Sequence, residues 1–121
     1  MSAWAWLGVA LLGGVGANAR FLVHTLVTAR AGSKLPLGTL TVNASGSLLL
    51  GLLAGVALSG DALVLAGTAT LGSYTTFSTW MLETHLLAAN GRRAAAMLNV
   101  LVSLAFGIGA VALGRLIGSS A

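Results

Sequence analysis

Long apolar runs separated by short polar breaks organise this chain. The first run extends from Ala3 to Val27 and is interrupted only near its end, by Asn18, Arg20 and His24. Thr28-Ala-Arg-Ala-Gly-Ser-Lys34 follows as a loop carrying two basic residues. A second run starts after Pro36, the only proline, and reaches about Leu58. Ser59-Gly60-Asp61 then reads as a tight turn of the kind that Gly and Asp favour. The third run covers Leu63 to Ala89 and stops at Asn90-Gly91-Arg92-Arg93; the fourth reaches from Ala94 to about Ile117. A bilayer core about 30 Å thick takes about 20 apolar residues per helix. The pattern therefore predicts an all-α integral membrane protein with four transmembrane helices, at about residues 3–27, 37–58, 63–89 and 94–117. Those spans consume most of the chain, so residues 1–121 are expected to form a single membrane domain.

Within the spans, small and polar residues fall in stripes. Thr39, Asn43, Ser47, Gly51 and Gly55 recur at i+4 on the second helix, and Asn99, Ser103 and Gly107 do so on the fourth. In lipid, such stripes let helix backbones approach closely, and packing alone is the expected role of Gly51, Gly55 and Gly114. An asparagine in a stripe asks for more. An unpaired amide in hydrocarbon costs several kcal/mol, so Asn43 and Asn99 should face protein or a water-filled path. The third span is the unusual one: Gly67-Thr-Ala-Thr-Leu-Gly72-Ser-Tyr-Thr-Thr-Phe77-Ser-Thr-Trp80 crowds hydroxyls, a tyrosine and two glycines into an apolar segment. Ser and Thr compete for backbone groups and glycine weakens a helix, which predicts a break between Gly72 and Thr76. Non-helical backbone at membrane depth must be buried in protein or line a cavity. A break also frees carbonyl oxygens, the ligands that Na⁺ takes in discontinuous membrane helices.

Composition narrows the chemistry. The chain is 57% hydrophobic and 7% charged, against about 25% charged for soluble domains. There is no cysteine, hence neither a disulfide framework nor a thiolate metal site. Asp61, Glu83, His24 and His85 are the only acidic residues and histidines. Ser78 and His85 stand two helical turns apart, about 10 Å along the axis, too far for a nucleophile–base pair. The two histidines lack a third metal ligand, and interfacial positions are expected for both. The net charge of +4 is spread over six basic residues without a stripe, so nucleic acid is not an expected partner. Trp4 to Val15 followed by Ala17-Asn18-Ala19 imitates a signal peptide, but no basic residue precedes it, and the span is expected to be retained.

Three segments, in order, resemble the Fluc-type (CrcB-like) fluoride channels. Gly13-Gly-Val-Gly-Ala-Asn-Ala-Arg20-Phe21 is similar to the opening motif of that family. Leu35-Pro-Leu-Gly-Thr-Leu-Thr-Val-Asn43, continuing through Gly46 to Gly51, is similar to the second-helix motif. Gly72-Ser-Tyr-Thr-Thr-Phe77-Ser-Thr-Trp80, with Glu83, resembles the third-helix signature, whereas the fourth span matches only loosely. The resemblance implies four-helix subunits with a broken third helix, assembled as an antiparallel, dual-topology dimer in the bacterial inner membrane. It implies passive export of cytoplasmic fluoride, relieving fluoride toxicity, and no enzyme activity. By motif, the pore residues would be Asn43, Phe77, Ser78, Thr79, Ser103 and Arg20, with Trp80 at the second aromatic position. A structural Na⁺ at the dimer centre would be held by the backbone carbonyls of Gly72 and Thr75.

These residue types suit a small, strongly hydrated anion. The Asn43 amide and the hydroxyls of Ser78, Thr79 and Ser103 offer hydrogen-bond donors in place of water. Aromatic edges carry partial positive charge without binding too tightly for release. Two features depart from the family. Trp80 stands where a second phenylalanine is usual; it is larger and brings an indole N–H donor. The charge is also lopsided: Arg30, Lys34, Arg92 and Arg93 share one side and only Arg115 occupies the other. Such a bias favours one orientation, with both termini outside. A heterodimer with an oppositely oriented homologue therefore stands beside the homodimer as an expectation. The rival readings are a non-transporting membrane subunit, in which the polar stripes only pack, and a four-span drug–proton antiporter, disfavoured because the first span has no acidic residue.

Overall fold

A computed structural model describes residues 1–120, which are helical apart from short connections and contain no strand. Helix α1 spans Ala3–Ala31 and α2 spans Leu37–Gly55. The next region is divided into α3 (Gly60–Leu63), a π-helical segment (Val64–Leu71), α4 (Gly72–Tyr74) and α5 (Ser78–Ala89). Helix α6 spans Arg93–Ser119. By length and composition α1, α2 and α6 each suffice to cross a membrane.

Helix ends differ from those the hydrophobic pattern predicts. Helix α1 continues four residues past Val27, because Ala29, Arg30 and Ala31 are good helix formers with nothing to stop them. It stops at Gly32, whose φ of +83° suits glycine and whose N–H reaches the Thr28 carbonyl. At its start the Ser2 hydroxyl accepts from the Ala5 N–H at 3.1 Å, a side-chain cap. Helix α2 ends at Gly55 rather than near Leu58: Ala57 turns left-handed, at φ +57°, and the Leu58 N–H closes back on the Leu53 carbonyl. The expected Ser59-Gly60-Asp61 turn is shorter than predicted, since α3 already begins at Gly60. The wide turns of Val64–Leu71 were invisible to the hydrophobic pattern. There the Thr70 hydroxyl donates to the Leu65 carbonyl five residues back, at 2.7 Å.

Little is buried within one chain: among the described residues, Val42, Ala69, Leu71 and Ala96 are the buried apolar side chains, while Trp4 is 82% exposed. Lipid in place of water makes that outer surface unremarkable, and the contacts that matter lie between backbones. Helices α2 and α6 run parallel, joined through four glycines. A Cβ at Gly51 would strike the Val111 carbonyl, and one at Gly55 the Arg115 carbonyl. From the other side, Gly114 fits the Leu48 carbonyl and Gly118 that of Leu52. The packing role expected of Gly51, Gly55 and Gly114 is thus what the structure shows. Helix α1 lies parallel to the segment after α3 in the same manner: Gly8 meets Leu65, and Gly16 meets Ser73 and the Thr70 carbonyl. Where α1 turns into α2, Gly38 admits His24 and Thr28. The basic loops meet at one end, where the Arg92 guanidinium donates to the Lys34 carbonyl at 2.7 Å.

Gly114→Leu is expected to destabilise the protein by about 1–3 kcal/mol, the usual cost of overpacking. Gly109, with open space around it, should accept alanine at no cost. Thermal melting of the detergent-solubilised protein separates the two.

Candidate functional site

The polar centre of the molecule lies where α4 gives way to α5. Tyr74 ends α4, Thr75 is extended (φ −81°, ψ 161°), and α5 begins at Ser78. Backbone released at this point needs partners, and Asn43 of α2 supplies them. Its Nδ2 donates to the Thr76 carbonyl at 2.8 Å and its Oδ1 accepts the Thr76 N–H at 2.8 Å. One side-chain amide thus replaces two ladder bonds in a medium where either orphan would be costly. The missing side chain of Gly46, one turn along α2, makes room for the Thr75 methyl and the Tyr74 ring. The Tyr74 hydroxyl lies 2.8 Å from that of Ser45, and Arg20 of α1 reaches the Thr75 carbonyl at 3.4 Å.

This arrangement redirects two helical donors. In an unbroken helix the Thr76 N–H would serve the Gly72 carbonyl and the Thr79 N–H that of Thr75. Here the first goes to Asn43, and the second goes to the Thr76 hydroxyl at 3.2 Å. The carbonyls of Gly72, Ser73, Tyr74 and Thr75 are thus all left without helical donors, and that of Thr75 accepts from Arg20 instead. Among the described residues no cluster of three acidic or histidine side chains could hold a metal ion.

Beyond the interruption, Phe77 is 69% exposed and meets Trp80 edge to face, with ring centroids 5.8 Å apart at 89°. Asn43, Thr75, Thr76, Phe77, Trp80 and Ser103 all line one groove of about 1190 Å³, which continues along α2, the π-helical segment and α6. Gly72 borders it as well. Ser78, Thr79 and Arg20 are outside its walls. Ser78 is exposed, with its hydroxyl 3.5 Å from that of Thr76; Thr79 enters through its backbone; Arg20 approaches from the α1 side. The Trp80 indole N–H, expected as a spare donor, is committed to the Asn99 carbonyl at 3.3 Å. Arg20 and Glu83 are not paired: Glu83 lies 3.6 Å from His24 Nε2. Sequence reasoning passed over Thr76 and Thr84 as site residues. Thr84 hydrogen-bonds Asn99, and no local periodicity connects them.

The CrcB-like protein, Camphor Resistance (CrcB) family matches residues 7–115. The chain belongs to that family. Among its relatives, the fluoride-specific ion channel FluC 2 of Mycolicibacterium paratuberculosis is 54% identical over 110 residues, 91% of this chain and 90% of that one. FluC 2 of Mycobacterium tuberculosis is 51% identical over 110 residues, covering 91% and 87%. The fluoride-specific ion channel FluC 1 of Nocardia farcinica is 48% identical over 106 residues, covering 87% and 75%. This CrcB-like chain is thus a multi-pass membrane protein of a channel family, not an enzyme.

In this CrcB-like chain, Asn43→Leu is expected to leave both Thr76 backbone groups unpaired, at about 1–3 kcal/mol each. Asn43→Asp keeps the acceptor and loses the donor, so its loss should be smaller. Hydrogen exchange at the Thr76 amide should rise sharply in the leucine variant and less in the aspartate variant.

Proposed function

We propose that the chain is a subunit of a fluoride-selective channel that lets cytoplasmic F⁻ leave passively across the bacterial inner membrane. The observation that carries this reading is the single groove lined by Asn43, Phe77, Trp80 and Ser103, in a chain about half identical to named fluoride-specific channels. One hydrogen of the Asn43 amide holds Thr76, which leaves the second to donate to an anion. The Ser103 hydroxyl also lies on the groove wall, where its one proton must turn from Asn99 to serve an anion, and the positive ring edges of Phe77 and Trp80 favour an anion without an attached charge. Donors of this modest strength replace part of the hydration shell and still permit release. Ser78 and Thr79 stand at the start of α5, next to Phe77 and Trp80 in the chain but off the groove wall, and Arg20 contributes positive potential from α1.

The interruption from Thr75 to Phe77 is read as the broken third helix of the family. Among its released carbonyls, those of Gly72 and Thr75 are the ones that the family motif assigns to a structural Na⁺. Such an ion would add positive potential at the dimer centre and tie two interrupted helices together. Two oxygens from one chain fall short of a cation shell, so a second subunit would complete it. Assembly as an antiparallel dimer supplies that subunit. The charge bias favours a heterodimer as the second reading: the Arg92–Lys34 contact gathers four basic residues at one end, which biases insertion to one orientation. Relatives designated both FluC 1 and FluC 2 are compatible with paired paralogues.

Liposomes holding the purified chain should release fluoride rapidly and chloride hardly at all, as read by ion-selective electrodes. Silence from the chain alone, with flux restored by an oppositely biased homologue, selects the heterodimer; silence in both cases rejects the channel. Replacing Na⁺ by a large organic cation during purification is expected to weaken subunit association, measured by size-exclusion chromatography.

A further inference from the structure

Trp80 sits in a closed set of hydrogen bonds that joins α5 to α6. Its indole N–H donates to the Asn99 carbonyl at 3.3 Å. The Asn99 Nδ2 donates to the Thr84 hydroxyl at 2.8 Å, and that hydroxyl donates to the Trp80 carbonyl at 2.8 Å. Directions in this ring follow from chemistry: an indole nitrogen only donates, and a backbone carbonyl only accepts. Because Thr84 accepts from the amide, its single proton is directed to Trp80. Asn99 Oδ1 in turn receives the Ser103 hydroxyl at 3.5 Å, on the groove wall. On its other side the indole abuts Phe77 edge to face.

We propose that Asn99 and Thr84 are positioning residues that fix the Trp80 indole with its N–H turned into the protein, so that an anion in the groove meets only the carbon edge of the ring. This inference rests on the channel reading above. The hydrogen-bond ring explains how tryptophan serves at this position. A free indole N–H is a strong donor for fluoride, and a strong donor in a conduction path slows release. With the N–H engaged by Asn99, Trp80 presents the positive ring edge that a phenyl group would present. The 5.8 Å contact with Phe77 depends on the same orientation, so the ring also sets the position of the more exposed aromatic residue.

A double-mutant comparison tests this in liposomes. Thr84→Val and Asn99→Leu should each lower fluoride efflux about tenfold, the equivalent of one net hydrogen bond. In a Trp80→Phe background the same two substitutions should have less than a twofold effect relative to that background, and Thr84→Ser should rescue the loss caused by valine. Equal losses in both backgrounds would show a purely structural contact and overturn the proposal. A second readout does not depend on flux. Trp4, Trp6 and Trp80 are the three tryptophans, so Trp4→Phe with Trp6→Phe leaves Trp80 as the sole emitter. Thr84→Val in that protein should lower the anisotropy of Trp80 emission; unchanged anisotropy refutes the positioning role. Absence of fluoride flux from every variant would count against the channel reading, while the anisotropy would still decide the orientation of Trp80.

Discussion

A chain that leaves its helix at membrane depth must find a partner for every N–H and C=O it releases, and here the Asn43 amide meets that demand. It binds the Thr76 N–H and carbonyl at once, each at 2.8 Å. In water this pair would be modest; in lipid, with no solvent to take its place, it holds the interruption open. Other features follow from it. Gly46 is bare because Thr75 and Tyr74 must come close to α2 for the amide to reach. Thr76, pinned by its backbone, turns its hydroxyl to the Thr79 N–H and so starts α5. Phe77 is then carried to the groove with its ring exposed.

Helix α2 can hold that position because its other contact is rigid. Four glycines, two on α2 and two on α6, place each helix against the carbonyls of the other. Close backbone approach of this kind gains dispersion and weak Cα–H contacts without any flexible side chain. The small residues of α2 therefore serve two ends of one task. Gly51 and Gly55 set the distance to α6, and Asn43 and Gly46 receive the interrupted segment.

Tryptophan at position 80 shows how a polar atom on an aromatic ring is absorbed by its surroundings. The larger ring brings a polar atom that a phenylalanine lacks. The chain answers with a carbonyl on α6 and a supporting asparagine and threonine, so the added donor is satisfied within the protein. Polar residues on α5 and α6 are thereby bound to one another, which joins the far side of the groove to the interrupted segment.

The membrane class and the number of apolar runs were legible in the sequence, because the bilayer imposes a length that hydropathy reports directly. So was the need of Asn43 for a partner, since an amide in hydrocarbon is too costly to leave alone, and so was the packing role of the glycine stripes. The identity of that partner was not legible: Asn43 and Thr76 are 33 residues apart, and no periodicity links two separate helices. The same holds for Trp80 with Asn99 and for His24 with Glu83, where residue types announce a demand and only proximity decides who meets it. The π-helical turns of Val64–Leu71 and the extension of α1 to Ala31 likewise depend on backbone bonds that several local sequences would accept. Sequence alone determined which groups could not go unpaired in lipid. Tertiary structure decided the pairs, and through them which carbonyls and ring edges remained free, because hydrogen bonds form between neighbours in space.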